Sequence, residues 1–92
     1  MEIKTEVRKY VADNFLPDAS VESISDDMPL ITGGIIDSIG MLGLVDFLES
    51  RYEIEFMPRE IDVHSLDTLA QIEELIQRKL SGWKPNAING NG

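Results

Sequence analysis

The chain has 92 residues, 17 acidic against eight basic, a formal net charge of −9 and no cysteine. That length fits one domain around a single apolar core, and without cysteine neither disulfides nor a thiolate metal site can hold it together. The acidic excess repels phosphate backbones and anionic lipid and favours partners with basic surfaces, so nucleic acid is not an expected partner.

The amino-terminal run MEIKTEVRKYV scatters charges through its first turns, unlike the apolar centre of a signal peptide. No run of about 18 apolar residues follows, so a cytoplasmic protein without membrane insertion is expected. Ile3, Val7, Tyr10 and Val11 fall on one side of a helix, predicted from about Glu2 to Asn14. Pro17 and the polar run DASVESISDD then open a long connection in which Pro29, Leu30, Ile31 and the Gly33-Gly34 pair precede Ile36. Its apolar residues predict a loop laid across the core. Roughly twenty residues without regular structure are unusual in so small a domain unless they serve a purpose.

After Asp37, Met41, Leu44, Val45, Leu48 and Tyr52 share one stripe, which predicts a second helix ending near Arg51 to Glu53. The segment EIEFMPREIDVHS alternates at Ile54 and Phe56, but Pro58 argues against a strand, so a link and a short helical piece around Arg59 to Val63 are expected. Leu69, Ile72, Leu75, Ile76 and Leu80 form the stripe of a last helix, with Thr68 and Gln71 spaced as a capping box. Residues 1–80 make one domain. Residues 81–92, SGWKPNAINGNG, read as a flexible tail whose Trp83 is available to fold back. The fold class is all-α: a small bundle of three main helices plus one short helix, with a long loop between helices one and two and no β-sheet.

Ser38 stands where the glycine pair and Ile35-Ile36 give way to helical periodicity. Asp and Ser both favour helix starts, where their oxygens accept from free backbone N–H groups, so Asp37-Ser38 reads first as a cap. The core stripe of helix two leaves Ile39, Leu42, Gly43, Asp46, Glu49 and Ser50 on the opposite side. Apolar residues ringed by acids are how a docking surface is commonly built. Gly40 and Gly43 each cost the helix about 1 kcal/mol relative to alanine. They imply either a large group approaching the serine or close packing against the long loop.

A nucleophilic serine needs a base within reach and an orienting group behind it. The only histidine is His64, read as a surface or loop residue, and no Gly-x-Ser-x-Gly elbow surrounds Ser38. No catalytic residue and no metal ligand is expected. The free N–H groups and positive end of a helix dipole at Ser38 instead suit an attached phosphate, by about 0.3–1 kcal/mol near a surface.

Pro29-Leu30 followed by Gly34-Ile35-Ile36-Asp37-Ser38-Ile39 resembles the signature of acyl and peptidyl carrier proteins. The resemblance runs from about Ile3 to Leu80 and includes the long first loop, the Tyr52 to Phe56 stretch and the Leu66 to Leu69 approach to the last helix. It implies an acyl-carrier-protein-like bundle in which Ser38 receives 4'-phosphopantetheine from coenzyme A, delivered by a phosphopantetheinyl transferase with magnesium. Acyl or aminoacyl groups would then ride as thioesters, brought by a loading enzyme and passed to downstream transferases or synthases. The resemblance also implies that Asp37 helps the transferase read the site and that Ile39 and Leu42, with Asp46 and Glu49, meet partner enzymes. The chain itself is a non-enzymatic monomer in this reading.

Carriers of the primary fatty-acid pathway bear more acids along helix two, and Ile39-Gly40 replaces their commoner Leu-Asp. A free-standing carrier for a specialised biosynthetic route, or an aminoacyl carrier, is therefore the expectation, with the housekeeping fatty-acid carrier as alternative. Two rivals stand beside it. An EF-hand needs oxygen ligands at alternate positions, a glycine and a final glutamate, and Asp18, Glu22, Asp26 and Asp27 miss that spacing. An unmodified helical module docking through Ile39 and Leu42 would share the same apolar pair.

Overall fold

The computed structural model describes residues 3–18 and 20–81. The described chain is all-helical, with α1 over Ile3–Phe15, α2 over Ser38–Tyr52, α3 over Val63–Leu66 and α4 over Leu69–Leu80. Short 3-10 turns occupy Val21–Ser23 and Pro58–Glu60. The expected tail begins at the edge of this range, and Trp83 lies outside the described residues.

The long helices bury most of the stripe their spacing predicts, but Leu80, the last expected member in α4, is 50% exposed at the end of the helix. Ile3, Val7 and Val11 of α1, Leu44, Val45, Leu48 and Tyr52 of α2, and Leu69, Ile72, Leu75 and Ile76 of α4 form one core. Met41 and Tyr10 pack at its edge, half-buried. α1 lies along α4. The Thr68 hydroxyl accepts the Gln71 N–H at 3.1 Å and the Gln71 side chain accepts the Thr68 N–H at 3.2 Å, closing the expected capping box. α2 ends at Glu53, whose left-handed backbone (φ 56°) turns the chain away.

The short helical piece differs from its expected place. Pro58, with its fixed φ, opens a 3-10 turn, and α3 begins only at Val63, where Asp62 accepts the His64 N–H at 3.3 Å. The Glu60 carboxylate holds the turn by accepting the Met57 N–H at 2.7 Å and the Lys79 ammonium at 2.7 Å. This ties the α2–α3 link to the end of α4.

The long connection lies across the core, as its apolar residues predict: Ile24, Leu30 and Ile36 are all buried. Full burial of each such side chain is worth about 1.5–3 kcal/mol. Polar bonds complete the attachment. Arg8 of α1 donates to the Ile24 carbonyl at 2.9 Å and to Asp26 at 2.5 Å, and Lys4 adds a bond to Asp26 at 3.0 Å. The Asp26 carbonyl in turn accepts the Ala70 N–H at 3.1 Å, satisfying one free donor at the start of α4.

Lys4, and beyond it Arg8, hold the Asp26 carboxyl below its ordinary value of 3.8 against the opposing effect of burial. A depressed carboxylate pKa contributes stability above the unfolded value and loses it as pH falls through the folded one. Melting of the protein and of Asp26→Asn should therefore differ by a constant amount from about pH 7 to about pH 5, with the gap closing below about pH 4. The main-chain bond to Ala70 survives this substitution. A gap that persists at low pH would contradict the ion-pair account.

Candidate functional site at the mouth of α2

Asp37 adopts an extended backbone, and its Oδ1 accepts the Gly40 N–H at 2.7 Å. Its carbonyl accepts the Met41 N–H at 2.9 Å, the first main-chain bond of α2. Asp37 is the cap, and Ser38 is the first residue of the helix. Ser38 is exposed, and among the described residues no hydrogen bond engages its hydroxyl. The side chain best placed to occupy the neighbouring N–H groups is thus Asp37, which leaves the serine oxygen in solvent.

Ile39 is 77% exposed and Leu42 is 56% exposed. These values separate them from the rest of the helix's large apolar residues, which are buried or half-buried. Asp46 and Ser50 are exposed on the same side. Glu49 is placed differently from the other acids of α2. It is half-buried, and its Oε2 accepts the Phe56 N–H at 2.9 Å across the end of the helix. Its carboxylate serves the link that follows α2 as well as bordering the outer face.

The glycines of α2 are explained by α1. A Cβ at Gly40 would lie 2.6 Å from Phe15 Cε1 and 3.1 Å from Asp37 Oδ1, and one at Gly43 would lie 3.3 Å from the Tyr10 hydroxyl. The close packing is therefore against α1 and not against the long loop. Tyr10 stacks on Phe47 of α2 with centroids 4.3 Å apart and meets Phe15 edge-on at 6.1 Å. This aromatic seam fixes one flank of α2. Farther along, Glu6 accepts from the Arg51 guanidinium and the Tyr52 hydroxyl, both at 2.5 Å. Burial, followed by the bond to Glu6, pushes the Tyr52 hydroxyl pKa up, and the Tyr52 bond leads the effects that hold the Glu6 carboxyl down.

Phe15 escaped the sequence pattern although it lies four residues after Val11, where one more turn of the α1 stripe would have found it. His64 is exposed on α3. Asp26 is engaged by Lys4 and Arg8, and Asp27 accepts from the Ser25 hydroxyl at 3.1 Å. Among the described residues, no group of three or more His, Cys, Asp or Glu side chains comes together as metal ligands would, and no helix is long and apolar enough to cross a membrane.

No family model matches the chain, and neither the curated proteins nor the solved structures provide a match.

The Phe15 contact makes a test. Alanine at Gly40 would gain about 1 kcal/mol of helix propensity but incur an overpacking cost of about 1–3 kcal/mol. Gly40→Ala should lose about 1 kcal/mol in denaturant melts, and the same change in a Phe15→Ala background should be stabilising. Stabilisation in the unaltered background would contradict the notch.

Proposed function

We propose that the chain is a carrier protein whose Ser38 hydroxyl receives a 4'-phosphopantetheine arm. The observation that carries this reading is the unengaged, exposed Ser38 hydroxyl at a helix mouth already capped by Asp37. The fit is chemical as well as steric. The N–H groups at the start of α2 that the Asp37 cap leaves free, together with the helix dipole, favour a phosphate on that oxygen. Attachment would join Ser38 Oγ to the phosphate of the arm as the pyrophosphate bond of coenzyme A breaks, 3',5'-adenosine diphosphate leaves and the serine proton passes to the transferase. The arm, when bound, supplies a terminal thiol that carries an acyl or aminoacyl group as a thioester, which this cysteine-free chain lacks.

The residues around Ser38 have separable parts in this reading. Asp37 holds the first turn and presents a carboxylate beside the serine to the transferase and its magnesium. Ile39 and Leu42 offer the apolar centre of a docking face, and Asp46 provides charge for a basic partner. Glu49 borders that face while holding Phe56. A tethered cargo meets successive active sites at high effective concentration, so each docking contact can be weak.

Gly40 and Gly43 serve the α1 contact and so say nothing about pathway. The sparse acids of the outer face still favour a specialised assembly route over the housekeeping fatty-acid pathway. Cytoplasmic, monomeric action fits this role.

Incubation with coenzyme A, magnesium and a broad-specificity phosphopantetheinyl transferase should add the mass of one phosphopantetheinyl group, and Ser38→Ala should abolish the addition. Protein left unmodified under conditions that modify a known carrier would overturn the reading in favour of an unmodified module that docks through Ile39 and Leu42.

A further inference from the structure

The segment ahead of Ser38 is held from the far side of the fold by one residue. Asp67, between α3 and α4, accepts the Leu30 N–H on its main-chain carbonyl at 2.7 Å. Its Oδ1 accepts the Ile31 and Thr32 N–H groups at 2.8 and 2.9 Å, and its Oδ2 accepts the Thr32 hydroxyl at 2.8 Å. Four donors from three consecutive loop residues thus converge on a single aspartate.

The hydrogen bonds continue towards the serine. The Leu30 carbonyl accepts both the Ile35 and Ile36 N–H groups, at 2.9 and 2.8 Å, and the Ile31 carbonyl accepts the Gly34 N–H at 3.0 Å. Between these bonds the chain doubles back tightly. Gly34 has φ +85°, and a Cβ at Gly33 would lie 2.2 Å from the Pro29 carbonyl oxygen, so only glycine fits the turn. Leu30 and Ile36 are both fully buried beneath it, and Asp37 follows directly. Burial opposes ionisation of Asp67, but the Thr32 and Ile31 donors, with His64 nearby, hold its carboxyl below the ordinary value of 3.8. The loop donors therefore meet a full negative charge, which makes stronger bonds than a neutral acceptor would.

We propose that Asp67 is a positioning residue for Ser38, clasping Leu30–Thr32 so that the turn through Ile36 delivers Asp37 and Ser38 to the mouth of α2 in a form the modifying enzyme can bind. This inference rests on the carrier reading of Ser38. It assigns a functional role to a residue 29 positions away in sequence that touches neither the serine nor its cap, and it gives the long loop a purpose.

Loss of the clasp should lower the fraction of molecules with an ordered mouth. Apparent affinity for a partner that reads the ordered form falls in proportion to that fraction, while turnover of the bound complex is unaffected. In Asp67→Ala, the Ile35, Ile36 and Gly40 amides should lose most of their protection from hydrogen exchange relative to the core amides of α1 and α4, with an ordered fraction of about one tenth. The KM of the phosphopantetheinyl transferase for this protein should rise about tenfold, the reciprocal of that fraction, with kcat unchanged. Asp67→Asn keeps an acceptor for the Ile31 and Thr32 N–H groups and should restore most of both properties. Thr32→Val removes only the hydroxyl bond, keeps a folded comparison should Asp67→Ala prove unstable, and should shift both readouts in the same direction by a smaller factor. Mouth amides that exchange no faster in Asp67→Ala and in Thr32→Val than in the unaltered protein would overturn the clasp. Mouth amides that stay mostly protected in Asp67→Ala, or a loss of protection with an unchanged KM, would overturn the positioning role. Failure of the transferase to modify the unaltered protein would refute the carrier reading and the positioning role with it, while the exchange data would still decide whether the clasp exists.

Discussion

The Asp37 carboxylate closes the first turn of α2 by accepting the Gly40 N–H, and the state of the helix mouth depends on that bond. Because the capping task falls to Asp37, the next side chain has no structural duty. Gly40 participates twice: its N–H completes the cap, and its missing side chain admits Phe15 from α1. One flank of the helix is therefore pressed against α1 while Ile39 and Leu42 remain in solvent. The Ser38 hydroxyl is thus placed at the helix mouth by its neighbours' bonds without taking part in them.

The acidic charge has two separate uses. Glu6, Asp26, Glu60 and Asp67 are committed to bonds that join elements distant in sequence, and Glu49 to the link just after α2, so much of the carboxylate inventory is part of the architecture. Asp46 is exposed on the outer face of α2 outside such bonds, while Asp37 caps the helix and still reaches solvent at its mouth. A count of acids on a helical wheel treats both groups alike. Only acids that still face solvent can act in electrostatic steering, whereas the bonded ones hold the fold.

The helices, the last capping box and the core crossing of the loop were legible because each leaves a local mark: 3.6-residue periodicity, a Thr-to-Gln spacing, apolar residues within a polar connection. The start of α3 was misplaced because Pro58 and Asp62 both mark helix starts, and the sequence does not say that the first yields only a 3-10 turn. The outer positions of Ile39 and Leu42 followed from the α2 stripe alone. The partner of the glycines did not follow, since a missing side chain does not name what fills the space. Asp67 was invisible for a similar reason. Its bonds reach Leu30–Thr32 across more than thirty positions, and nothing local distinguishes it from an acid facing water.

The central claim concerns the covalent state of one hydroxyl, and intact mass of the protein recovered from its own cells tests it most directly. The account predicts that a fraction carries a single phosphopantetheinyl group, with or without cargo, and that fragmentation maps it to Ser38. Protein that is unmodified throughout, or that bears the group on another residue, would contradict it.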